Sequence, residues 1–184
     1  MTFDELMSQA RTGDLIFFSG RKPFSWLIRI RSFSRWSHVG IVVCPQVEGE
    51  SIEPQIIESL EGVGVRTVSS NVWRKWHGHV AIGRIVLPPK LREHLADYAA
   101  SKRGCRYASP WQFVRSFALL TSRILDLFRT PADEDRSRYF CSELAAEAML
   151  SVGCRLPKLP PKMKPADLAR DSFINLTEAV RVPA

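Results

Sequence analysis

The spacing of apolar and polar residues changes character partway along this chain, and the change divides it. From residue 13 to residue 87 the apolar runs are short, rich in β-branched residues and closed by turn formers. DLIFFSG (14–20), SHVGIVVC (37–44), PQIIESL (54–60), GVRTVS (64–69) and HVAIGRIVL (79–87) each read as strands. Gly49, Gly62 and Gly64 part them at short intervals, so an antiparallel meander is the economical arrangement. Ahead of them Thr2 and Glu5 form a capping box that opens a short helix to about Arg11, and Gly13 marks its stop. Pro23 begins a helical or irregular stretch through Phe33.

Beyond residue 87 the period lengthens. PPKLREHLADYAASKRG (88–104) has proline at its start and glycine at its end, the usual helical asymmetry. Residues 109–129 are strongly amphipathic, with Gln112, Arg115, Ser122 and Asp126 on one side and Phe113, Phe117, Leu120, Ile124 and Phe128 on the other. TPADEDRSR (130–138) is a polar loop, and CSELAAEAMLSVG (141–153) is a helix ended by Gly153. The proline-rich run 156–165 is expected to wrap the surface in extended form. One helical turn over PADLARDS and a last strand near FINLTEAVRV complete the chain. Strands grouped early and helices late predict an α+β fold, and 184 residues without a repeat suit a single domain over 1–184.

Charge adds one feature to this picture. Twenty-six Lys and Arg against nineteen Asp and Glu leave a formal charge of +7, which favours an anionic partner. Between Asp14 and Glu48 there is no acid, while Arg21, Lys22, Arg29, Arg31 and Arg35 interleave with Phe24, Trp26, Ile28, Ile30 and Phe33. Such a segment is either a solvated basic face beside core aromatics or an interfacial one, a peripheral membrane-surface contact. No signature of a nucleic-acid-binding domain accompanies the charge, so no nucleic-acid partner is expected. MTFDELMSQARTGD lacks the pattern of a secretory signal and no apolar run approaches a membrane span, from which a cytoplasmic location is expected. Cys44, Cys105, Cys141 and Cys154 show no metal-ligand spacing, and His77 and His79 lack a further ligand set, so neither a metal nor another cofactor is expected.

Cys141 stands apart because it opens a helix. The first turn of a helix favours a thiolate through its unpaired amides and macrodipole, and those amides can also serve as part of an oxyanion hole. Taken singly, a cysteine beside Tyr139 and Phe140 is more often a small buried hydrophobe, so a partner has to decide. His38, at the head of a strand, could be a core histidine or the base of a thiol–imidazole pair. Glu58, near the end of the next strand, could hold the ring if the two strands pair in the right register.

GDLIFFSG (13–20), SHVGIVV (37–43), IIES (56–59) and YFCSELAAEAM (139–149), in that order, resemble the circularly permuted NlpC-type branch of papain-like proteins. That branch includes the YiiX/YebB-like bacterial proteins and, more distantly, lecithin retinol acyltransferase. The likeness spans roughly residues 12–170, and in the permuted branch histidine precedes cysteine, as here. It implies a small antiparallel β-barrel or sheet packed against helices, Cys141 as nucleophile, His38 as general base and acid, and Glu58 as the group that orients the imidazole. Substrate-binding or oxyanion roles fall to Tyr107 and Ser142, although Ala108 stands where the family pairs the tyrosine with an acid. Glu143, two residues from the thiol, is expected to bond nearby backbone.

The function implied is a cysteine hydrolase or acyltransferase that cleaves an amide or ester bond through an acyl-thioenzyme. Its small-molecule substrate would be an acyl lipid or a cell-wall-type peptide, and the basic-aromatic segment tips the choice toward the lipid. The alternative is a non-catalytic lipid- or peptide-binding module that keeps the fold.

Overall fold

The computed structural model describes residues 1–20, 23–44, 53–107 and 137–182. The expected amphipathic helix at 109–129 and most of the polar loop after it lie outside them. Helix α1 (Phe3–Ser8) starts with the capping box: the Thr2 hydroxyl accepts from the Glu5 N–H (3.2 Å), and the Glu5 carboxylate accepts from the Thr2 N–H (2.7 Å). Then come β1 (Leu15–Phe18), α2 (Pro23–Ser32), β2 (His38–Val43), β3 (Gln55–Leu60), β4 (Gly64–Ser69), β5 (Gly78–Ile85) and α3 (Pro89–Ser101). Two short strands, β6 (Arg106–Tyr107) and β7 (Arg138–Tyr139), precede α4 (Cys141–Ser151), α5 (Pro165–Ala169), β8 (Ile174–Leu176) and β9 (Val180–Val182).

Seven strands form one antiparallel sheet in the order β4-β3-β2-β1-β5-β8, with β9 also on β5. The first four follow the expected meander. The fifth departs from it and returns across the sheet to the free edge of β1. The reason lies in β1 itself: Leu15, Ile16, Phe17 and Phe18 are all fully buried, which requires neighbours on both edges and cover on both faces. One face carries Leu15, Phe17, Val39, Ile41 and Ile57 against α3 and α4; the other carries Ile16, Phe18, Val42, Ile56, Val80 and Ile82 against α1 and Trp73. The architecture is therefore α+β, an antiparallel sheet packed against helices, and not a closed barrel.

The proline-rich run is not extended throughout. Its centre makes a 3-10 turn at Pro160–Lys162 that buries Pro160, and Met163 beyond it is buried as well. Packing against α4 outweighs the solvated extended form. No helix among the described residues is long and apolar enough to cross a membrane.

Candidate active site

Three elements converge on His38. The β2–β3 register pairs Ile41 with Ile57 and Val42 with Ile56. Continued by one residue, it puts Glu58 opposite Gly40 and so diagonal to His38 on the same face. The contact follows: His38 Nε2 lies 2.8 Å from Glu58 Oε2. Glu58 is fully buried, and its second oxygen is not left bare. Arg66, directly across the β3–β4 hairpin, donates to Oε1 from Nε (3.0 Å) and Nη2 (2.9 Å). A buried carboxylate with both oxygens engaged is a fixed anchor.

The ring is also held by its faces. Trp73, on the 3-10 turn Ser70–Trp73, stacks on the imidazole with centroids 5.7 Å apart, and Phe18 lies at the same distance on a tilt. Sequence reasoning missed Arg66, Trp73 and Phe18. The first could have been found, because a hairpin closed around Glu61, Gly62 and Val63 places 58 opposite 66 by counting outward.

Cys141 opens α4, and its thiol lies close enough to the His38 ring to act on the charge of the imidazole. With Nε2 engaged by Glu58, the other ring nitrogen is the one available to sulfur. Burial on its own pushes the imidazole toward its neutral form. The negative charge and hydrogen bonds of Cys141 and Glu58 outweigh that and hold the His38 pKa up, to about 10 from an ordinary 6.5. These neighbours stabilise the imidazolium form of His38. Cys141 is only 6 % exposed, so the pair is nearly withdrawn from water.

The local fold explains how the thiol reaches this place. Ser59, next to Glu58 but on the other face of β3, donates from its hydroxyl to the Tyr139 carbonyl (2.7 Å), two residues before the cysteine. Glu143 accepts from the Phe140 N–H (3.1 Å), as expected for a backbone-bonding role. The first i→i−4 bond of α4 runs from the Leu144 N–H to the Phe140 carbonyl (3.0 Å), so the amides of Cys141 and Ser142 precede it. The Ser142 hydroxyl is spent elsewhere, donating to the Met163 carbonyl (2.7 Å), which leaves its backbone N–H rather than its side chain for the role expected of it. Tyr107 sits beside the site through the parallel pairing of β6 and β7, and its ring meets Phe140 edge-on at 5.6 Å. Burial first, then the charges at Cys141 and Glu61, push its phenol well above the usual range, so Tyr107 is a neutral O–H at physiological pH.

A histidine on the sheet, ahead in sequence of a cysteine at a helix start, is carried here on an α+β frame whose fold is that of a solved YiiX structure. The chain is similar to a solved structure described as the metalloprotein YiiX from Escherichia coli O157:H7, with a TM-score of 0.66 and 17% identity over 94% of this chain and 99% of that one. At that identity the likeness is one of fold. No protein-family model and no curated protein matches the sequence.

The neighbour's description raises the question of a metal. Among the described residues no group of three or more His, Cys, Asp or Glu side chains is placed to hold one. At the site the donors are committed to one another, since Glu58 gives one oxygen to the Arg66 guanidinium and the other to His38. A second cation at that carboxylate would face Arg66 directly, so these residues do not fit a metal ion.

Proposed function

We propose that the chain is a thiol hydrolase or acyltransferase. The observation that carries this reading is the contact of His38 with both the Cys141 thiol and the buried Glu58. In the first half-reaction the thiolate attacks a carbonyl carbon, a C–S bond forms and the carbonyl electrons move onto oxygen. The amides of the first turn of α4 stabilise that oxyanion, with the Tyr107 O–H nearby. Collapse of the tetrahedral species expels the amine or alcohol, which takes its proton from the His38 imidazolium. In the second half, water or an acceptor alcohol or amine attacks the thioester, His38 takes its proton, and the thiolate is released. Glu58 keeps the imidazole oriented through both halves, and Arg66 keeps Glu58 in place.

The substrate class is an acyl lipid or a cell-wall-type peptide, and the basic-aromatic segment beside His38 favours the lipid. Incubation with phospholipid and peptide acyl donors followed by mass spectrometry tests this. An acyl mass increment on Cys141 that is absent from Cys141→Ser is the expected result. Burial pushes the Cys44 thiol up, helped by the Asp14 charge, and burial likewise raises Cys154, so neither competes as a nucleophile near neutrality. The near-burial of Cys141 favours the second reading, a non-catalytic module. That reading predicts no adduct, and modification of Cys141 by a thiol reagent no faster than that of Cys44 and Cys154.

A further inference from the structure

Helix α2 turns an apolar stripe to solvent. Trp26, Ile30 and Phe33 are 58, 51 and 87 % exposed, and their spacing of four and three residues aligns them along one side. The stripe ends in a turn that is costly for its sequence. The Phe33 N–H donates to the Ile30 carbonyl (3.2 Å) and the Ser34 N–H to the Arg29 carbonyl (3.1 Å), the Schellman pattern at a helix end. The residue between them takes a left-handed backbone, φ 47° for Phe33, where glycine is favoured and a Cβ is strained. The ring gains almost no packing in return, being the most exposed large apolar side chain among the described residues.

Cationic groups flank this ring. Arg170 donates from Nη2 to the Phe33 carbonyl (2.7 Å), which pins the turn. The same arginine lines an open cleft of about 550 Å³ with Arg155 and the exposed Phe173. The acids in that cleft are engaged, Asp167 with Lys158 Nζ (2.7 Å) and Asp171 with the Phe173 N–H (2.9 Å). Arg35, two residues past Phe33, is exposed, and no acid occurs in sequence between Asp14 and Glu48.

We propose that this face docks on an anionic phospholipid bilayer, with Trp26, Ile30 and Phe33 entering the interface and Arg35, Arg155 and Arg170 facing the headgroups. Charge complementarity selects this occupant: exposed rings and an aliphatic side chain, with Arg170 bonded to the Phe33 carbonyl and Arg35 two residues on, suit an acidic headgroup layer over hydrocarbon. Phe33 is five residues before His38, so docking brings the bilayer surface toward the thiol. The binding does not depend on the acyl chemistry.

Co-sedimentation of the full chain with phosphatidylglycerol/phosphatidylcholine vesicles and with pure phosphatidylcholine vesicles tests it. Binding to the anionic vesicles is expected to be at least about tenfold stronger. Phe33→Gly is expected to weaken it by a further factor of about ten while leaving the thermal midpoint unchanged or higher, since glycine accepts the turn. Trp26→Ser should weaken binding similarly, and Cys141→Ser should leave it unaltered, which separates this proposal from the enzymatic one. No preference for the anionic vesicles overturns it. So does full binding by Phe33→Gly, or a lipid-free dimer that Phe33→Gly dissociates, which would make a second copy of the chain the occupant.

Discussion

Asp14 and Glu58 are both fully buried carboxylates on the same sheet, and each is clasped by arginine. Asp14, just before β1, takes Arg92 on one oxygen (2.8 and 3.2 Å), Arg84 on the other (3.3 Å) and the Arg11 N–H on that same oxygen (3.0 Å). Its partners come from α1's exit, β5 and α3, so it ties together elements that are distant in sequence. Glu58 gives one oxygen to Arg66 and spends the other on an imidazole that touches a thiol. The same device therefore serves two ends. Where every partner is a permanent cation or a backbone amide, the carboxylate is a rivet; where one partner can exchange protons, it also sets that partner's orientation and charge.

Substitutions sharpen that contrast. Asp14→Ala leaves two guanidinium groups around a missing counter-charge and is expected to cost about 3–5 kcal/mol, read from the urea midpoint. Molecules still folded should keep normal Cys141 reactivity, and a slowed thiol in that folded fraction would erase the distinction. Glu58→Gln should do the reverse, slowing alkylation of Cys141 at pH 7 by roughly 100-fold with a smaller loss of stability than Asp14→Ala. Arg66→Met removes only the outer member of the same relay. It is expected to slow Cys141 by about tenfold, the worth of one hydrogen bond to a charged group, and an unchanged rate would place Arg66 outside the relay.

The smallest signal is a slope. The His38 pKa is raised in the folded chain to about 10, so the stability that its charged form confers is complete below pH 6.5 and is lost as pH rises through 10. Thermal midpoints recorded across that window should fall as pH rises, and His38→Gln or Cys141→Ala should flatten the decline. A slope identical in all three proteins would show that the pair contributes nothing to it.

Much of this site was legible in the chain because its parts are local. The strand boundaries of β2, β3 and β4 follow from apolar runs between turn residues, and the hairpin alone sets Glu58 opposite Arg66. The diagonal to His38 needs only the β2–β3 register, which the core demands, since a one-residue slip would turn Ile56 and Ile57 to the wrong faces. Other features were hidden for a physical reason. The β6–β7 pairing joins residues about thirty positions apart in parallel, with no turn to announce it, so the neighbourhood of Tyr107 and Phe140 has no local signal. Trp73 belongs to a short 3-10 turn, and its stacking on His38 joins residues thirty-five positions apart with no local pattern to announce it. The return of β5 to β1 was likewise invisible to a rule that favours adjacent strands, and only the need to cover both edges of LIFF explains it.

The bond from Ser59 to the Tyr139 carbonyl has a mechanical meaning. Adjacent residues of one strand point opposite ways, so Glu58 steers the imidazole from one side while Ser59 anchors the approach to the sulfur from the other. The strand thus acts as a common ruler: one short stretch of backbone fixes where the imidazole and the sulfur stand relative to each other.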